Sequence, residues 1–281
     1  IAIDLHGELS FSRLRRYAIG EGAALDPVAL AIEISTARKE SVLREVITST
    51  LRALGSIQSA VLDGIIAEKA DSLRSLSDLR RAVTERAKDV PTLTKVAALL
   101  EQLGQELSQG TAIRLADLMR SGGVIDLHAL SQQARDAAAR GLLSAIWAYT
   151  RGQPVRQPGA LRLAILLDEA ELLRNLTALD SLPREARKFG VSLTVATQLA
   201  KDLPPGLRAN VASLAVFHLS DLAAARQAAQ MLPSVGIDRI TALPVPGWAL
   251  FRTRDGVELV HVHTLDARRA LPAARMKRSR S

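Results

Sequence analysis

Two apolar runs close together, residues 161–167 and 191–196, constrain this sequence more than anything else in it. The first, LRLAILL, is broken only by Arg162 and stops abruptly at Asp168-Glu169. A polar, helix-forming stretch follows, and the second run, VSLTVA, then closes at Thr197-Gln198. Two buried strands, each delivering polar residues at its C-terminal end, are how an open parallel sheet presents a site to a ligand.

A hydrophobic strand ending in Asp-Glu has the form of the Walker B element of nucleotide hydrolases. There the first carboxylate holds magnesium, usually through water, and the second polarises the attacking water. The same pair would also suit an ordinary strand leading into a helix, because acidic residues favour a first helical turn. The ARKFGVSLTVATQ segment behind it favours the first reading.

Composition narrows the remaining classes. A chain of 281 residues supports one large or two modest domains. Its 48 % hydrophobic and 23 % charged content are globular values. Only 3 % of residues are aromatic, which argues against a stacking platform for single-stranded nucleic acid. With no cysteine, disulfides and thiolate metal sites are excluded, and a reducing compartment is expected. No window approaches 18 uninterrupted apolar residues and no leader pattern opens the chain, so no membrane span is expected and a cytoplasmic location is. The sequence opens with Ile1 inside a strand-like run, as a piece of a longer protein would. The formal charge is +8, yet the last fifteen residues hold six basic and no acidic side chains, leaving the rest near +2. Such a tail suits DNA contact as well as a solvated end.

Along the chain, residues 1–5 read as a short buried strand followed by the turn His6-Gly7-Glu8. Apolar residues then recur at helical spacing, as at Val42, Val46, Thr50 and Leu54, and at Leu93, Val96, Leu100 and Leu103. Gly122-Gly123 opens a strand at 124–127, and Ser131 starts a helix to about Thr150. Strands alternating with helices across 124–219 predict right-handed crossovers and a parallel sheet covered on both faces. A hairpin closes the pattern at 247–253 and 257–264, turned by Arg254-Asp255-Gly256. The expected organisation is residues 1–35 beginning a core, 36–110 a helical insertion, 111–265 the rest of the core, and 266–281 a basic tail.

Four landmarks in this order resemble the HerA-like hexameric ATPases of the FtsK–HerA superfamily of DNA translocases. Asp4-Leu5-His6-Gly7-Glu8 looks like the family's Asp-x-His-Gly-Glu turn, and the 123–127 strand looks like the one preceding Walker B. Leu166-Leu167-Asp168-Glu169-Ala170 matches Walker B itself. Arg187-Lys188-Phe189-Gly190 with Ala196-Thr197-Gln198 matches the Arg-Lys-aromatic-Gly and Ala-Thr-Gln pattern. The resemblance implies an α/β fold: a RecA-like P-loop NTPase core with a mainly parallel sheet, a large helical insertion and a C-terminal β-hairpin.

That likeness also implies roles for single residues. Asp168 would orient Mg2+ and contact the ATP-bound metal, Glu169 would be the general base, and Gln198 would sense the γ-phosphate. Arg187 would reach a neighbouring subunit's nucleotide as an arginine finger, with Arg184 and Lys188 near enough to compete for the role. Asp4 and Glu8 would tune magnesium or water, or simply cap their turn. The implied activity is that of an ATP-driven translocase or helicase working as a homo-hexamer on double-stranded DNA, in DNA-end processing with a NurA-type nuclease or in DNA transfer.

One family element is missing. No G-x-x-x-x-G-K-[ST] loop occurs, nor any Gly-Lys dipeptide, and the family places that loop before the Asp-x-His-Gly-Glu turn, upstream of Ile1. As it stands this sequence is therefore expected to bind nucleotide poorly and hydrolyse it hardly at all. A non-catalytic DNA-binding or assembly module keeping the same fold is the alternative. His261 and His263 share a strand face without a third ligand and read as structural. Ser10 and Ser131 lack a histidine-carboxylate partner pattern.

Overall fold

A computed structural model describes residues 1–34, 39–51, 54–157, 159–169 and 185–262. The chain divides into two compact units, residues 1–198 with 202–207, and residues 199–201 with 208–281.

The first unit is built on a five-stranded, wholly parallel sheet. Its strands are β1 (Ala2–Asp4), β2 (Arg16–Ala18), β5 (Val124–Asp126), β6 (Leu163–Leu167) and β7 (Val191–Val195), in the spatial order β2-β5-β1-β6-β7. Central position explains composition here. β1 lies between two neighbours and every residue of it is buried, whereas β7 forms an edge and alternates buried or half-buried with exposed positions. A minor parallel pair, β3 (Ala23–Ala24) and β4 (Thr111–Ala112), lies beside the sheet. β2 has no apolar run to announce it and is held by pairing with β5 from Arg16 to Ala18.

Helices α1 (Pro27–Ile32), α2 (Lys39–Thr50), α3 (Ser56–Lys69), α4 (Leu76–Ala87), α5 (Thr94–Leu107) and α6 (Leu115–Ser121) separate β3 from β5. Asp26 caps α1 by accepting from Val28 and Ala29, and its second oxygen accepts from the Leu76 N–H at the start of α4. Val96, Leu100, Leu103 and Leu107 bury one stripe of α5. Val42, Val46 and Thr50 do the same on α2, where Thr50 Oγ1 donates to the Val46 carbonyl.

The 20-residue helix α7 (Gln132–Arg151) is capped by Ser131, whose Oγ accepts from Ala134 N–H. Alanines and Gly141 let α1 and α2 approach it closely. A Cβ on Gly141 would stand 2.6 Å from Thr50 Oγ1 and 2.9 Å from Pro27 Cβ. Farther along α7, Trp147 meets Phe189 edge-to-face at 5.8 Å between ring centroids.

The second unit is an antiparallel sheet of β8 (Leu214–Phe217), β9 (Trp248–Arg252) and β10 (Val257–His261), in the order β10-β9-β8. Its helices are α9 (Leu222–Ala229) and α10 (Ile237–Thr241); the short α8 (Pro205–Ala209) precedes β8. Val216, Ala225, Leu232, Ile240 and Leu250 form its core. This corrects the expectation of one parallel sheet through residue 219, because β8 pairs antiparallel with the hairpin strand β9. Strand-helix alternation fixes element order but does not specify which strand a strand will pair with. His261 stacks on Trp248 at 4.8 Å, while His263 and the basic tail lie outside the described residues. Among the described residues no helix is long and apolar enough to cross a membrane.

Gly141→Ala is expected to lower stability by about 1–3 kcal/mol, because the new methyl overpacks α7 against α1 and α2. The unfolding midpoint in urea compared with the parent chain checks this.

Candidate functional site

Because all five strands of this sheet run the same way, their C-terminal ends share one edge. That edge presents Asp126 as the last residue of β5, Asp4 as the last of β1, Asp168-Glu169 after β6 and Gln198 just beyond β7. Backbone pairing places these ends side by side. Leu127 N–H donates to Asp4 O at 2.8 Å, Asp168 N–H to Ile3 O at 3.4 Å, and Ala196 N–H to Leu167 O at 2.9 Å. The sheet therefore brings together Asp4, Asp168, Glu169 and the segment ending in Gln198.

Two of the aspartates are wholly buried, and each is satisfied differently. Asp4 locks the turn that follows it, accepting backbone N–H groups of His6, Gly7 and Glu8 at Oδ1 and of Leu9 at Oδ2. These four bonds make the Asp-x-His-Gly-Glu segment a rigid platform. Glu8 itself is exposed. Asp126 accepts from Arg16 Nε and Nη2 at 2.9 and 2.6 Å on one oxygen, and from His128 N–H and Nδ1 at 3.1 and 2.9 Å on the other. Burial alone would raise the Asp126 carboxyl, but the His128 and Arg16 donors outweigh it and hold the group below the usual carboxylate range.

The Asp168-Glu169 pair is different in kind. Both side chains are half-buried at the strand end, and among the described residues Asp168 Oδ1 accepts just the Glu169 N–H, at 3.2 Å. Glu169 adopts φ +62, a left-handed conformation that costs a non-glycine residue about 1–2 kcal/mol. Its Oε1 lies 2.7 Å from His6 Nε2. Oxygen donors with free lone pairs suit magnesium, which takes one or two carboxylates and completes its shell with water and phosphate. Among the described residues no three acidic or histidine groups converge on a metal position. Gln198 is exposed at its strand end.

Arg187 is not at this edge. It lies with Lys188 on a 3-10 turn (Ala186–Phe189) that enters β7 at its N-terminal end, and both side chains are exposed. A five-residue strand spans about 16 Å, so Arg187 cannot touch Glu169 of its own chain. The remainder of that motif is structural. Phe189 packs on Trp147, and Gly190 turns at φ +70, where a Cβ would stand 2.4 Å from Ala160 O. Ala170 and Arg184 lie outside the described residues. Ser131 caps α7, its Oγ accepting from Ala134 N–H and donating to Glu106 Oε1. Sequence reading assigned His6 to its turn and missed its contact with Glu169, since nothing local marks a partner 163 residues away.

No family model matches the sequence, and no curated protein does. Solved structures do. VirB4 of Thermoanaerobacter pseudethanolicus is 17% identical, with a TM-score of 0.69 over 94% of this chain and 81% of that one. The conjugative coupling protein TrwB is 14% identical, with a TM-score of 0.65 over 93% and 78%. TrwB in complex with the non-hydrolysable ATP analogue ADPNP gives 14% and 0.64 over the same shares. Both proteins belong to the FtsK–HerA superfamily. The chain shares the RecA-like α/β fold of these proteins. At this identity the likeness establishes the RecA-like architecture, and the chemistry rests on the sheet edge.

Asp126, with its lowered carboxyl, stabilises the first unit fully above the ordinary carboxylate value of about 3.9, and that contribution is lost as pH falls through the lower folded value. Asp126→Asn is expected to cost about 1–2 kcal/mol at pH 7, discounted because Arg16 is partly solvated. Thermal unfolding at pH 7 and pH 3 checks this: the gap between variant and parent should narrow at the lower pH.

Proposed function

We propose that this chain is the motor region of an ATP-driven DNA translocase that works as a homohexameric ring on double-stranded DNA. The observation that carries the reading is the juxtaposition of Asp168-Glu169 and the Gln198 segment at adjacent strand ends of one parallel sheet edge. This edge is where open parallel sheets bind ligands. Likeness in fold to TrwB, solved with an ATP analogue, supports nucleotide as that ligand.

In this reading Asp168 would hold Mg2+ through water, and the ion would supply charge neutralisation for the phosphates of ATP. Glu169 takes the proton of the attacking water, and the Gln198 amide meets the γ-phosphate. Asp4 acts on the site indirectly, by fixing the turn that carries Glu8 and His6. Arg187 serves a neighbouring copy in this reading, and its place before the N-terminal end of β7, away from Glu169 of its own chain, is consistent with that. The conjugative neighbours favour DNA transfer; DNA-end processing with helicase action and a NurA-type nuclease is the other branch of the same superfamily. The motor reading places the protein in the cytoplasm.

The missing Gly-Lys loop is the one observation favouring a second reading, a non-catalytic DNA-binding or assembly module. One experiment separates the two. In the full-length gene product, ATP hydrolysis is measured with and without duplex DNA, alongside nucleotide binding. The motor reading expects DNA-stimulated turnover, and Glu169→Gln should reduce kcat by about 100-fold or more while binding persists. Absent turnover in the parent, or wild-type turnover in Glu169→Gln, overturns it.

A further inference from the structure

The contact between His6 and Glu169 joins two motifs that lie 163 residues apart. An ionised carboxylate offers only acceptors, so at 2.7 Å the His6 Nε2 must carry the proton and donate it to Oε1. The two partners are not equally fixed. His6 stands on a turn whose four N–H groups are tied to the buried Asp4 carboxylate. Glu169 lies two residues beyond the end of its strand in an unfavourable left-handed backbone conformation, and among the described residues its Oε2 has no hydrogen-bond partner. Thus the rigid partner is the histidine, and the group being oriented is the glutamate.

We propose that His6 is the positioning residue of Glu169: it pins Oε1 from the Asp4-locked turn and leaves Oε2 directed to water. This rests on reading Glu169 as the general base. It also gives the Asp-x-His-Gly-Glu segment a function apart from any metal. Asp4 builds the platform, and His6 delivers its effect across to the neighbouring strand. The electrostatics agree with the geometry. The Glu169 hydrogen bond is the main influence raising the imidazole above its ordinary value, partial burial opposes it, and the Asp168 and Glu8 carboxylates add to it. The other charged groups around the turn are Arg16, which donates to Gly7 O from β2, and His128, which is committed to Asp126.

The test has a structural and a kinetic arm. With histidine labelled by nitrogen-15, NMR follows the five imidazoles of this chain, and His6→Gln assigns the His6 signal. Glu169→Gln is expected to move the His6 midpoint down toward that of a free imidazole; an unmoved midpoint overturns the proposal. In the full-length gene product, His6→Ala should lower kcat about 10- to 100-fold with KM for ATP unchanged. His6→Gln, whose amide can donate from the same place, should recover most of that loss. His6→Ala combined with Glu169→Gln should be no worse than Glu169→Gln alone. A wild-type kcat in His6→Ala overturns the positioning role while Glu169 keeps its own. Wild-type turnover in Glu169→Gln instead removes the base, and the proposal falls with the functional reading.

Discussion

A buried carboxylate on the central strand is the constraint on which this architecture depends. Asp4 ends β1, which is walled in by β5 and β6 and has no access to solvent. A charge there is tolerable only if it is fully hydrogen-bonded, because an unpaired buried ion costs several kcal/mol. The chain supplies four backbone donors by wrapping residues 6–9 tightly around it. The requirement to satisfy one aspartate thus fixes a turn, and the turn fixes where His6 stands. Asp126 repeats the device one strand away with side-chain donors, tying β2 to the sheet through Arg16.

Strand polarity does the rest. Parallel pairing forces the ends of β5, β1, β6 and β7 onto one edge, where burial decreases from the aspartates at Asp4 and Asp126 to the half-buried Asp168-Glu169 pair and exposed Gln198. The committed carboxylates stabilise the fold, and those with spare lone pairs remain available for chemistry. Separating the two kinds by hydrogen-bond satisfaction is more informative than grouping all acidic residues of the edge as ligands. The same polarity puts Arg187 at the opposite end of β7, away from Glu169 and Gln198.

Much of this was legible in the sequence because β6 and β7 are continuous apolar runs closing in polar residues, and α2 and α5 carry helical periodicity. The antiparallel β9–β10 hairpin was legible for a related reason: Arg254-Asp255-Gly256 separates two strand-like runs, and Gly256 takes the positive φ that such a turn exploits. β2 was not legible, since Arg16-Tyr17-Ala18 has no apolar pattern and exists through pairing alone. β8 looked like a further strand of the parallel sheet because its apolar content says that it is a strand and nothing about its partner. The His6–Glu169 contact and the left-handed backbone at Glu169 arise from long-range packing, which no local spacing encodes. Phe189 and Gly190 were read as part of a motif, and the fold gives them physical reasons, an aromatic contact to Trp147 and a turn with no room for a Cβ.

The most direct test of this account is the structure of the full-length gene product with ATPγS and magnesium. The account predicts nucleotide at the C-terminal edge of the five-stranded sheet, its γ-phosphate near Glu169 and Gln198, with Arg187 arriving from the adjacent copy. Nucleotide bound elsewhere, or at that edge with no neighbouring Arg187 in reach, would contradict it.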